Sequence, residues 1–150
     1  MILRIAADRT ATYSHNVDRP RVVLAEDHEW VAEQLRNVLA AEFDVVDTVA
    51  DGHALVRVTE AVRPDVVVTD IVMPGLDGIA ATAAILARCP ETRVVLVTVH
   101  DDLALAERGY AAGALGYVSK HRAGQELLAA VRAAVRSERY ESPHIRGGRG

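Results

Sequence analysis

The chain has 150 residues, 50% of them hydrophobic and 25% charged, with a net charge of −4. This balance describes one globular domain and argues against a nucleic-acid binder, which needs clustered cations. The single Cys89 excludes an internal disulfide and a Cys-rich zinc site; no apolar run approaches a membrane span, and Asp8 interrupts the opening too early for a signal peptide, so a cytoplasmic protein is expected.

Residues 1–20 show no sustained period and read as a flexible leader. Val22-Val23-Leu24-Ala25 is a first strand, interrupted by Glu26-Asp27-His28. Val31, Leu35, Val38 and Leu39 then recur at helical spacing to about residue 41. Phe43 to Val49 reads as a strand, and Asp51-Gly52 turns it into a helix with Leu55, Val58 and Val62 apolar, ended by Pro64. A third strand, residues 65–70, ends in Asp70. Met73 to Gly78 is a turn, with Asp77 as N-cap of an Ala-rich helix over 78–88 that Cys89-Pro90 stops. A strand over 93–98, a helix from about Asp101 to Ala112, a strand over 113–118 and a helix from about Ala123 to Ser137 complete the pattern. Residues 138–150 read as a tail or the start of a linker. Trp30 and Met73 are expected to pack, and Cys89 is given no role.

Five apolar strands alternating with helices predict a parallel sheet buried on both faces. Right-handed crossovers place every strand-to-helix loop at one edge, where such folds keep their function. The residues following the strands there are Glu26, Asp27, Asp70, Thr98 and Lys120. Each alone is more often a cap or an ordinary strand end. Together they form a chemical set. Three converging carboxylates repel one another unless a hard cation such as Mg2+ joins them. Lys120 neutralises a phosphoryl oxygen and Thr98 donates a hydroxyl to another, so an aspartate here can act as a phosphoryl-accepting nucleophile.

The motifs Val22-Val23-Leu24-Ala25-Glu26-Asp27-His28, Asp70-Ile71-Val72-Met73-Pro74-Gly75-Leu76-Asp77-Gly78 and Gly113-Ala114-Leu115-Gly116-Tyr117-Val118-Ser119-Lys120 resemble the response-regulator receiver domain of two-component signalling. The resemblance covers about residues 21–140, and the final helix with Glu138 to Pro143 resembles the NarL/FixJ-type branch. It implies a flavodoxin-like (βα)5 fold, five parallel strands in order 2-1-3-4-5, with a receiver domain over 21–137. It also implies roles. Asp70 accepts a phosphoryl group from a sensor histidine kinase or phosphotransfer protein. Asp27 and Asp70 hold Mg2+ (with Mn2+ able to substitute), helped by the backbone carbonyl of Val72 and by Glu26 through water. Thr98 and Lys120 bind phosphoryl oxygens, and Tyr117 is the aromatic switch that turns inward on activation. A homodimer is a further contact to expect, with no membrane partner and no nucleic acid bound by this chain.

Four positions depart from the family pattern. Val99 follows Thr98 where a small residue is usual, so it narrows access to the phosphoryl group. Val72 and His100 occupy the positions that govern attack of water on the acyl phosphate, and apolar Val72 predicts slow dephosphorylation. His121 replaces the usual Pro or Asp after Lys120, with little expected effect. His28 beside the acids is expected to be a surface residue or to serve the helix start, because a hard-oxygen site does not favour imidazole. The chain is read as a signalling domain, not an enzyme. A haloacid-dehalogenase-type phosphohydrolase needs a second acid two residues after its nucleophile, and here that position is Val72. A degenerate receiver acting as a phosphorylation-independent interaction module is the other alternative; the complete set of five residues argues against it. No helix-turn-helix is recognisable in the 13 residues after Ser137. Either a stand-alone receiver or a transcription regulator cut in its linker is compatible with that.

Overall fold

The computed structural model describes residues 19–100 and 102–143. The expected leader therefore falls almost wholly outside the described residues, as do Asp101 and the end of the tail. In chain order the elements are β1 (Arg21–Ala25), α1 (Glu29–Ala40), β2 (Asp44–Val49), α2 (Gly52–Val62), β3 (Val66–Asp70), α3 (Gly78–Arg88), β4 (Arg93–Thr98), α4 (Leu103–Ala111), β5 (Gly116–Ser119), a 3-10 turn (Lys120–Arg122), α5 (Ala123–Val135) and β6 (Tyr140–Glu141). The strands form one parallel sheet in the order β2-β1-β3-β4-β5-β6.

The first five strands follow the expected order. The sixth is an addition. Tyr140 and Glu141, read from sequence as tail or linker, pair in parallel with Gly116 and Tyr117. Two residues cannot display a period, so nothing in the local pattern marks them as a strand.

Alternation along the strands divides the core between the two faces of the sheet. Val22, Leu24, Val66, Val68, Val95, Val97 and Val118 pack with Leu35 and Leu39 of α1 and Leu127 and Val131 of α5. Val23, Ala25, Val67, Val94, Leu96 and Tyr117 pack on the opposite face with Leu55 of α2, Ala81 and Ile85 of α3, and Ala106 of α4. Right-handed crossovers then put the loops that follow β1, β3, β4 and β5 on one edge.

Helix starts follow their caps. Asp51 accepts from the Ala54 amide, Asp77 from Ala80 and Asp102 from Ala104, at 2.8, 2.8 and 2.9 Å. The expected helix over 78–88 is observed with those bounds. The fifth strand was expected at 113–118 and lies at 116–119, because Gly113 at φ 113 and the residues after it form the turn out of α4. Met73 is buried, as expected for packing, but Trp30 is 71% exposed and is not a packing residue. Its position on α1 lies off the stripe of Ala32, Leu35 and Leu39 that faces the sheet. Among the described residues, no helix is long and apolar enough to cross a membrane.

Candidate functional site

Each site residue is placed by the element it ends or begins. β1 leads into Glu26 and Asp27, β3 ends in Asp70, β4 ends in Thr98, and Lys120 opens the turn after β5. Because β3 lies between β1 and β4 in the sheet, Asp70 is the central member of the group.

The Lys120 ammonium joins two of the carboxylates. Its Nζ lies 2.6 Å from Glu26 Oε1 and 2.9 Å from Asp70 Oδ2. Both carboxylates are buried, and the contact to Glu26 Oε1 is an ion pair without good hydrogen-bond alignment. The other Asp70 oxygen, Oδ1, accepts from the Ile71 amide at 2.7 Å. Burial pushes the Asp70 carboxyl above its ordinary value, and the neighbouring Glu26 charge adds to this, while the hydrogen bond and charge of Lys120 pull the other way. For Lys120, burial lowers the pKa, but the bonds and charges of Glu26 and Asp70 outweigh it and leave it raised. The lysine therefore stays charged beside the acids.

The donor set fits a hard divalent cation. Glu26, Asp27 and Asp70 offer only carboxylate oxygens, and the Asp27 side chain is partly open to water, which Mg2+ retains in its coordination sphere. His28 sits at the N-cap position of α1, but its side chain makes no capping hydrogen bond; its backbone carbonyl accepts from the Ala32 amide at 2.8 Å. Its ring also touches the acids: Nδ1 is 3.2 Å from Glu26 Oε2 and 3.3 Å from Asp27 Oδ1, and these three residues can bring one ligand atom each within 4.8 Å of one another.

A second chain of contacts runs from Thr98 to Tyr117. Thr98 is fully buried, and its Oγ1 accepts from the His100 amide at 3.3 Å, leaving its own proton to donate. The carbonyl of His100 accepts from the Tyr117 hydroxyl at 2.7 Å. Tyr117 is 1% exposed, with its ring turned into the core. Sequence reasoning singled out His100 for its side chain. Its backbone makes this connection, and a backbone contact leaves no trace in residue type. The Ile71 amide at Asp70 was missed for the same reason. Val72 and Val99 stand at the rim, 60% and 50% exposed.

Gly78 closes the loop behind Asp70. Its amide donates to Ile71 O at 2.7 Å, and a Cβ there would run into the Asp70 carbonyl oxygen. Only glycine permits this approach.

The response regulator receiver domain family model matches residues 22–132. The transcriptional regulatory protein YxjL of Bacillus subtilis (strain 168) is 38% identical over 125 residues, which are 82% of this chain and 57% of that protein. DegU of Brevibacillus brevis, a transcriptional regulatory protein, is 31% identical over 87% of this chain and 56% of its own length. The chain thus spans little more than half the length of the curated relatives it matches. Among solved structures, a two-component response regulator of the LuxR family from Aurantimonas sp. SI85-9A1 superposes with a TM-score of 0.82 at 34% identity, covering 86% of this chain and 94% of that one. The signal receiver domain of the response regulator NarL from Mycobacterium tuberculosis gives 0.76 at 31% identity, over 80% and 98%.

Proposed function

Because the chain belongs to the response regulator receiver family, with relatives of the NarL and LuxR type, we propose that it takes a phosphoryl group on Asp70 from a sensor histidine kinase or phosphotransfer protein. The observation that carries this reading is the Lys120 ammonium, 2.9 Å from the Asp70 carboxylate in a buried acid cluster at the strand edge.

In this reading an Asp70 carboxylate oxygen attacks the phosphorus of a phosphohistidine. The new O–P bond forms as the P–N bond breaks, and the electron pair leaves on the imidazole nitrogen, which takes up a proton. Lys120 donates to the phosphoryl oxygens and balances their charge, and the Thr98 hydroxyl donates to another. Asp27, Asp70 and the Val72 carbonyl would hold Mg2+, with Glu26 assisting through water, and the bound ion would neutralise charge on the transferring group. Mn2+ serves the same oxygen donors. His100 passes the position of Thr98 to Tyr117 through the two backbone contacts. The signal is then a shift in population toward the state with Tyr117 inward.

The receiver unit is assigned to residues 21–137, with the stretch from 138 onward as tail or linker, within which Tyr140–Glu141 form β6. The protein works in the cytoplasm as a signalling domain, and this segment reads no DNA itself. A homodimer is a further contact.

Intact mass after incubation with acetyl phosphate and Mg2+ tests the assignment. One phosphoryl group is gained by the wild type and none by Asp70→Asn. A gain that survives Asp70→Asn moves the acceptor elsewhere, and no gain at all favours a phosphorylation-independent interaction module.

A further inference from the structure

After α5 the chain doubles back onto the sheet. Ser137, at φ 60, makes the turn, and the Glu138 amide donates to Ala133 O at 2.8 Å. The Tyr140 amide then donates to Leu115 O at 2.7 Å, and Tyr140 and Glu141 pair with Gly116 and Tyr117. Side chains from both flanking helices hold this strand. From α4, the Tyr110 hydroxyl donates to the Tyr140 carbonyl at 2.6 Å, and the Arg139 guanidinium lies 3.8 Å from the centroid of the Tyr110 ring. On the α5 side, the Tyr140 hydroxyl donates to Glu126 Oε1 at 3.0 Å. Ser142, which follows, is buried.

Without this segment β5 would be an edge strand with unpaired backbone groups. The segment is also tied to the switch. Glu141 is the register partner of Tyr117, on the side of β5 away from β4. The Tyr117 ring lies beside Gly109 of α4, and the next residue, Tyr110, holds the strand. One turn of α4 therefore touches both the switch ring and the strap. Glu141 therefore stands beside Tyr117 at the β5 edge, the side across which an outward ring would have to pass a docked strap.

We infer that Arg139–Ser142 is a strand ligand carried by the chain itself, a strap that fills the β5 edge while Tyr117 is inward. Strap docking and phosphoryl loading of Asp70 then favour each other, and any partner that binds the β5 edge must first displace the strap. This inference rests on the receiver reading for its link to Asp70, but the docking itself does not.

The test uses the full chain with Arg139→Ala and Tyr110→Phe variants, which remove separate contacts and leave the acid cluster intact. Amide exchange at Tyr140 is followed by NMR with and without beryllofluoride and Mg2+. Beryllofluoride affinity is read from the Ile71 and Thr98 amide shifts. Bound beryllofluoride is expected to slow Tyr140 exchange about five- to tenfold, the scale of ordinary coupling between sites. By reciprocity, the variants speed that exchange and lose beryllofluoride affinity by up to the same factor. Beryllofluoride that binds without changing Tyr140 exchange, or variants that free the strap at undiminished affinity, overturn the coupling. Unprotected Tyr140 exchange in the ligand-free wild type overturns the strap. A wild type that shows neither a beryllofluoride shift nor a mass gain from acetyl phosphate overturns the receiver reading itself, and the coupling falls with it.

Discussion

Lys120 decides whether the acid cluster can be buried. Its side chain is 11% exposed and pairs with two carboxylates that are more deeply buried still. Lys120→Met leaves both acids without their cation, a change expected to cost about 3 kcal/mol or more. In the Asp70→Asn background the same substitution should cost clearly less, since one of the stranded charges is gone. Urea unfolding of the four proteins in EDTA completes the cycle, and an equal cost in both backgrounds would show that Asp70 carries none of the Lys120 contribution, leaving it to Glu26 and packing. Val72 bears on a later step. Its exposed aliphatic side chain at the rim has no group to orient an attacking water. Phospho-Asp70 is therefore expected to persist for minutes or longer in Mg2+ buffer, followed by intact mass; decay within seconds would show that another group positions the water. The placement of all five candidate residues at one sheet edge was legible in the sequence, because each directly ends or follows a strand whose apolar run marks it. The amide of Ile71 and the backbone of His100 were not, because every residue type carries those groups.

At the scale of elements, α3 shows how much a local sequence can specify. Asp77 caps it, Gly78 opens it and Pro90 follows its end, and the helix occupies the expected span. Two adjacent substitutions at its start separate capping from close approach. Asp77→Ala removes the acceptor for the Ala80 amide and should cost about 1 kcal/mol. Gly78→Ala drives a Cβ into the Asp70 carbonyl and should cost about 3 kcal/mol. It should also slow acetyl-phosphate labelling under conditions where the protein remains folded, since the loop behind the acceptor has to move. Thermal unfolding and labelling rates measured on the same samples separate the two effects, and a Gly78→Ala protein as stable and reactive as wild type would remove the glycine from the positioning of Asp70. Elements that depend on distant partners were less legible. Gly113 to Leu115 resembles the start of a strand, yet a positive φ at Gly113 makes it a turn. Trp30 looks like a core residue until α1 is docked and its stripe is seen to face elsewhere.

For the molecule as a whole, the C-terminal strand changes how the sheet ends. It closes the β5 side with contacts from α4 and α5, so an alkaline titration can follow its attachment. Tyr140 has its pKa pushed up to about 12 from an ordinary 10.0. Burial is the main cause, reinforced by the hydrogen bond to Glu126, by its charge and by Tyr110, with Arg122 opposing. A raised folded pKa means that the native state holds this proton more tightly than the unfolded chain. The resulting stability is fully present below pH 10 and is lost as pH rises from there to about 12. Phenolate absorbance should show a late-ionising tyrosine near pH 12, absent in Tyr140→Phe and moved to lower pH in Glu126→Gln. Beyond the rise that hydroxide catalysis gives every amide, exchange at the Tyr140 amide should accelerate across the same interval in the wild type, as ionisation sets a phenolate against the Glu126 carboxylate. In Tyr140→Phe that particular acceleration should be missing while the rest of the sheet titrates as before. If the late step survives Tyr140→Phe, the proton belongs to another residue and the strand is held by its backbone and Arg139 contacts alone.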